Sequence, residues 1–253
     1  MINKIFLSLF ILFAGGEIIY GQQTRFEEAN DLLSTNRVEE ALELYQSLES
    51  EGFESGALWF NMGISYVHLD SAGKAKYYFL RSKTHPNTEE IAAEAIEFLN
   101  ERFSRRSAVL PKLPWDVFFD WLSKNVGKNS LMIIGLLLFN GAVGAVIASW
   151  FLSRGTIWFR RTGYLFTILS FLFIAASLYI NQLDNRYETG VMIGNQTSLY
   201  QSPNKESAVI SSVFEGYEMT VDTKRSSEHE DWSYVRLQNG MYGWIDEQQL
   251  MSF

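Results

Sequence analysis

Two uncharged apolar runs, Leu131–Leu152 and Gly163–Ile180, constrain this chain more than any other feature. They hold 22 and 18 residues and contain no Asp, Glu, Lys or Arg. A helix needs about 20 such residues to cross the ~30 Å hydrocarbon core. A single charge at mid-membrane costs roughly 2.5–3.5 kcal/mol on the insertion scale. The pair predicts a transmembrane hairpin over 131–152 and 163–180, with residues 153–162 as its loop. A buried helical hairpin of a soluble protein is the competing fold. The loop carries Arg154, Arg160 and Arg161 and no acid. Short loops rich in Lys and Arg stay on the cytoplasmic side, so both flanking arms are expected on the far side of one bilayer.

The amino terminus points the same way. Lys4 opens a short positive region, Ile5–Phe13 is an apolar core of nine residues, and Gly21 is a small residue before Gln22. Residues 1–21 therefore read as a secretory signal peptide cut after Gly21, or as an uncleaved anchor. Both arms are acidic. Gln22–Lys112 has 10 basic and 15 acidic residues, and Asn181–Phe253 has 5 and 11. Surfaces of net −5 and −6 exclude nucleic acid as a partner, because phosphates demand a basic face. The chain has no cysteine, which excludes disulfides, thiolate catalysis and Cys-based metal sites.

The first arm, 22–110, repeats itself. With a 34-residue offset Ala29 pairs with Gly63, Leu32 with Tyr66, Ala41 with Ala75, Tyr45 with Phe79 and Leu48 with Ser82. Small residues at Ala29/Gly63 and Ala41/Ala75 let antiparallel helices approach, and the bulky positions fill the groove between them. A third helix over Thr88–Phe103 is expected to be capped from Thr88, with Glu89 and Glu90 favouring the helix dipole. Its stripe of Ile91, Ala95, Phe98 and Leu99 is expected to cover the open end of the array. Asn30, Asn61, Ser65 and His68 are candidate partner-binding positions on the inner helices. Asn61 reads first as a solvated or locally capping side chain, with the partner-binding role as the alternative.

Residues 111–130 form a juxtamembrane segment. Trp115, Phe118, Phe119 and Leu122 recur at helical spacing opposite Asp116, Asp120 and Lys124. With Trp121 they suit the lipid headgroup region; packing on the repeat array is the alternative. Inside the hairpin, Gly141/Ala145 and Gly144/Ala148 are small pairs that permit close helix packing.

The second arm, 181–253 with its core at 190–253, changes period. Short alternating runs at Thr197–Tyr200, Ala208–Val213, Glu218–Asp222, Trp232–Leu237 and Tyr242–Ile245 alternate with turn residues. Asn239-Gly240 is the strongest hairpin signal. Five short strands predict a small curled barrel. Trp232 and Tyr242 are its candidate binding residues, with Trp232 and Trp244 as packing residues the alternative. The three histidines, His68, His85 and His229, are scattered. Glu228-His229-Glu230-Asp231 reads as a solvated loop rather than a metal site. No catalytic constellation, cofactor site or metal site is expected.

These residues carry three resemblances. Trp59, Met62, Gly63, Tyr66, Ala75 and Phe79, with Pro86, closely resemble the tetratricopeptide (TPR) pattern. Asp231-Trp232, Val235-Arg236-Leu237, Asn239-Gly240 and Gly243-Trp244-Ile245 look like a bacterial SH3 domain. The Asp246-Glu247-Gln248-Gln249 tail lacks the proline and tyrosine of a groove for proline-rich peptides. Together the parts make a multi-domain membrane protein: an all-α TPR array, a two-helix transmembrane hairpin and an all-β SH3-like small barrel. The whole order resembles the TPR component of the Bacteroides aerotolerance (Bat) operon family. That resemblance implies a non-enzymatic inner-membrane scaffold with both arms periplasmic. Its implied partners are Bat-family proteins with von Willebrand factor A-type domains and, indirectly, a MoxR-type ATPase. Its implied role is in aerotolerance, stress or envelope maintenance. The alternative is a receptor that binds peptidoglycan through the SH3-like domain.

Overall fold

The computed structural model describes residues 21–103, 105, 107–152 and 155–253. Residues 1–20 of the expected signal peptide and Arg154 lie outside the described residues. Two compact units are formed. One joins the described residues up to Ala108 with Thr189–Val221 and Arg225–Phe253. The other is Val109–Glu188 with Asp222–Lys224.

The first unit begins with five helices: α1 (21–34), α2 (Val38–Ser50), α3 (Gly56–His68), α4 (Ala72–Lys83) and α5 (Glu89–Arg102). The small positions of the repeat are where helices meet. Ala29, Ala41 and Ala75 are fully buried, and a Cβ on Gly63 would sit 2.5 Å from the Phe79 ring. Tyr45, Leu48, Leu58 and Met62 fill the space between. Ser55 caps α3 by accepting from the Leu58 N–H at 3.0 Å, which satisfies one of the helix's orphan donors.

Helix α5 departs from expectation twice. Thr88 does not cap it; its hydroxyl instead donates to the Ser82 carbonyl at 2.8 Å, inside the turn from α4. The buried stripe is Ala92, Ile96 and Leu99; of the expected residues Leu99 is buried and Ala95 packs partly buried on the core, but the other two are not. Ile91 and Phe98 stand 45% and 53% exposed. The angle at which α5 leaves this turn decides which face it presents, and sequence spacing cannot see that angle.

The β domain has seven strands, β1 (Tyr187–Met192), β2 (Gln196–Tyr200), β3 (Val209–Phe214), β4 (Glu218–Asp222), β5 (Trp232–Leu237), β6 (Tyr242–Asp246) and β7 (Leu250–Ser252). They form one sheet in the order β3-β2-β6-β5-β4-β1-β7. The five expected strands are β2 to β6. β1 is buried without alternation over its last three residues and β7 is only three residues long, so neither displays the period of two. Met192, Leu199, Val213, Val235 and Ile245 are fully buried in its core. Gly240 takes φ +85° in the β5–β6 turn, and Asn239 accepts from the Met241 N–H at 3.1 Å. This is the chemistry that made Asn239-Gly240 readable.

Array and sheet, read from sequence as separate domains, pack into one unit through α4. The Gly73 N–H donates to Glu215 at 2.7 Å, and the Tyr77 hydroxyl donates to the Ser252 carbonyl at 3.2 Å. Phe253 meets Tyr77 edge-on at 5.5 Å. Gly73 is required there: a Cβ would lie 2.7 Å from the Met192 carbonyl. Lys76 is buried, donating to Asn100 and to the Gly216 carbonyl and pairing with Glu218, each at 2.8 Å.

The second unit contains α6 (Pro114–Asn125), α7 (Lys128–Phe151) and α8 (Thr156–Arg186). The last two are long and apolar enough to cross a membrane. The expected ten-residue loop is much shorter. Arg160 and Arg161 lie within the first turns of α8 rather than in a loop. Gly155, in the left-handed conformation at φ +86°, is the N-cap residue of α8.

The α7–α8 seam repeats every seven residues. Gly135, Ala142 and Ser149 are buried on α7, and Gly163, Ser170 and Ser177 on α8. Ser170 donates to the Gly135 carbonyl at 2.7 Å, and Ser177 to the Lys128 carbonyl at 2.8 Å. Such close approach needs small residues and lets hydroxyls bond across helices. Of the expected small pairs, Gly141/Ala145 lies against α8: a Cβ on Gly141 would fall 3.0 Å from Phe166, and one on Gly163 would fall 3.7 Å from the Ala145 Cβ. Gly144 faces open space. Only contact with α8 separates the two pairs.

Candidate functional site

Strand register builds one aromatic face on the β domain. Alternation puts Trp232, Tyr234 and Arg236 of β5 on one side and Ser233, Val235 and Leu237 on the other. Trp232 pairs with Asp246, Tyr234 with Trp244, and Arg236 with Tyr242, so the same side of β6 carries Tyr242, Trp244 and Asp246. Tyr200 of β2 pairs with Trp244 and extends the face by one strand.

Trp244 is the floor, 5% exposed. Tyr234 and His229 approach it edge-on at 5.2 and 4.7 Å. Trp232 and Tyr200 meet edge-on at 5.5 Å, and Tyr242, 63% exposed, lies 6.3 Å from Tyr234. All but the tilted Tyr234–Tyr242 pair are edge-to-face contacts favoured by ring quadrupoles. The Arg225 guanidinium stacks over Tyr234 at 3.9 Å, a cation–π contact. At the other end Lys205 pairs with Asp246 at 2.9 Å, and that hydrogen bond raises the Lys205 pKa.

Trp232 and Tyr242 thus lie on one face but at opposite ends, four residues of strand or roughly 13 Å apart. The face is a strip, suited to an extended polymer more than to a compact ligand. Sequence reasoning missed Tyr200, Tyr234, His229 and Arg225. Counting in twos from Trp232 would have found Tyr234; the others need the fold. His229 spends its ring on Trp244 rather than on the acidic loop around it. Among the described residues no group of three or more His, Cys, Asp or Glu is placed to hold a metal.

The array's candidates separate. Asn61 donates to Asn30 at 2.8 Å, and Asn30 also accepts from the Tyr45 hydroxyl at 2.7 Å. Both asparagines are half-buried and tie α1 to α3. Burial pushes the Tyr45 phenol up to about 12. Ser65 is not a surface residue: it is fully buried, its hydroxyl donating to the Asn61 carbonyl at 2.9 Å. This is the usual i−4 back-bond of a helical serine. His68 is exposed.

On α6, Trp115, Phe118 and Trp121 are 54–56% exposed, whereas Phe119 turns inward to Tyr179 of α8 at 4.8 Å. Arg160 and Arg161 are exposed on α8.

A small antiparallel sheet whose strands β5 and β6 present aromatics over a buried Trp defines an SH3-like β domain. The family model for the GW (Gly-Tryp) dipeptide domain matches residues 179–251. The dipeptide itself is Gly243-Trp244. No curated protein matches the chain.

Proposed function

We propose that this chain is a non-enzymatic, membrane-anchored envelope protein whose β domain binds cell-wall polymer along the Tyr200–Trp232–Tyr234–Tyr242 face. The carrying observation is that the GW match coincides with an extended strip of half-exposed aromatics over a buried Trp244. α7 and α8 cross the inner membrane, their apolar outer faces in lipid. The exposed Trp115, Phe118 and Trp121 settle α6 at the headgroups. Arg160 and Arg161 hold the α7–α8 turn in the cytoplasm, which leaves the array and the β domain in the periplasm.

Co-sedimentation of the detergent-purified chain with isolated peptidoglycan sacculi tests this. The chain is expected to pellet with sacculi, and Trp232→Ala is expected to weaken retention about tenfold, the equivalent of ~1.4 kcal/mol. A parent chain left in the supernatant overturns the proposal.

The second reading is an adaptor in a Bat-type membrane complex, with von Willebrand factor A-type partners and a MoxR-type ATPase. It is supported by the close helix pairing at Ala29, Ala41, Gly63 and Ala75, the small positions a TPR array would use. Affinity purification from gently solubilised membranes separates the two readings. Stoichiometric membrane partners support the adaptor; a chain recovered alone from sacculus-bound material supports the wall-binding protein.

A further inference from the structure

A cleft of about 490 Å³ opens where the end of α5 meets the β1–β2 and β3–β4 turns, away from the aromatic strip. Small-ligand sites have about 300–1,000 Å³. Two arginines, Arg102 and Arg105, line it. Each rests on an aromatic ring, Arg102 over Phe98 at 4.9 Å and Arg105 over Phe214 at 4.5 Å. Stacking holds the plane of a guanidinium and leaves its in-plane N–H donors turned outward, as bidentate carboxylate binding needs. Among the described residues neither is paired with a carboxylate, in contrast to Arg25, Arg37, Arg81 and Arg186. In an arm of net −5 these are conspicuous unspent cations.

The rest of the lining narrows the ligand. Leu99, Phe103 and Phe214 give it an apolar side, and the polar residues Asp70 and Asn195 also line it. Glu215 also lines it, with one oxygen committed to the Gly73 N–H. A bare phosphate would use the arginines, leave the apolar side empty and meet two carboxylates. A peptide's last residue uses all three: carboxylate to the arginines, side chain to the apolar wall, amide N–H to Asp70 or Asn195.

We propose that this cleft binds the carboxyl terminus of a peptide that ends in an apolar residue. The proposal is independent of wall binding, because neither the cleft nor its probe involves glycan. The test is fluorescence polarisation of the detergent-purified full chain with labelled Gly-Ser-Ala-Leu bearing a free carboxylate or a carboxamide. The acid is expected to bind at least tenfold more tightly than the amide. Arg102→Gln with Arg105→Gln is expected to remove that difference, and Arg37→Gln, on an exposed surface pair elsewhere, to preserve it. Equal binding of acid and amide, binding of neither, or an undiminished preference in the double variant overturns the proposal. The acid–amide comparison on the unaltered chain stands whether or not the variants fold.

Discussion

Lys76→Ala is expected to be among the most damaging single substitutions in the chain, destabilising the first unit by about 3–5 kcal/mol. The ammonium spends all three donors, on Asn100, the Gly216 carbonyl and Glu218, each at 2.8 Å. Its side chain is only 6% exposed and that of Glu218 is 23% exposed. Truncation leaves a carboxylate, a carbonyl and an amide oxygen without their cation in a site water barely reaches. The penalty of an orphaned partner exceeds the net worth of the pair. It falls on the junction of array and sheet, so the expected consequence is separation of the two. At about 2–4 °C per kcal/mol for a body of this size, the melting temperature should drop by roughly 6–20 °C in a thermal unfolding scan. Lys76→Met with Glu218→Gln, which removes both charges, should recover most of the loss. A fall of less than about 1 kcal/mol in Lys76→Ala would show that the pair is solvated and that the junction rests on Tyr77, Gly73 and Phe253 alone.

The same lysine shows where sequence reading stops. On its own helix Lys76 is one more charge in an Ala-Lys-Tyr-Tyr stretch. Its partners Gly216 and Glu218 lie 140 or more residues away, and nothing local marks the face of α4 that meets them. What was legible was one-dimensional: the apolar runs of α7 and α8, the small–large repeat at Gly63 and Phe79, the alternation of β5 and β6, and the Asn239-Gly240 turn. What was not legible depends on how elements meet. Ser65 looked like a surface polar residue because helical spacing alone cannot distinguish a back-bonded buried serine from a solvated one. Ile91 and Phe98 looked like core because one residue of helix rotation separates them from Ala92 and Leu99. The start of α8 was placed too late because two arginines in a helix's first turns read as loop. For the aromatic strip, Trp232 and Tyr242 were found singly. Their relation needed the register that pairs Tyr234 with Trp244 and brings Tyr200 alongside.

Gly243→Val is the second large effect, and it explains why the dipeptide of this domain begins with glycine. A Cβ at Gly243 would lie 2.5 Å from the Tyr200 carbonyl oxygen, 2.9 Å from Leu199 and 3.1 Å from Ile210. The first is backbone and cannot swing aside. β2 is registered to β6 at a single position, Tyr200 opposite Trp244, so β2 and β3 have little else in the sheet to hold them once that approach is blocked. Forcing a branched side chain into such a contact costs about 3 kcal/mol or more. The expected result is detachment of the β2–β3 hairpin, read as faster proteolysis between β2 and β3 and a melting temperature several degrees lower. Gly240→Ala is the informative comparison: its φ of +85° penalises a Cβ by about 1–2 kcal/mol through backbone strain. The two glycines therefore predict different failures, a strained turn at 240 and a split sheet at 243. Only the second should also abolish sacculus retention, because it removes Tyr200 from the strip and uncovers the Trp244 floor. A Gly243→Val chain that melts with the parent and still pellets with sacculi would separate the dipeptide from the strip and leave the aromatic face without its structural basis.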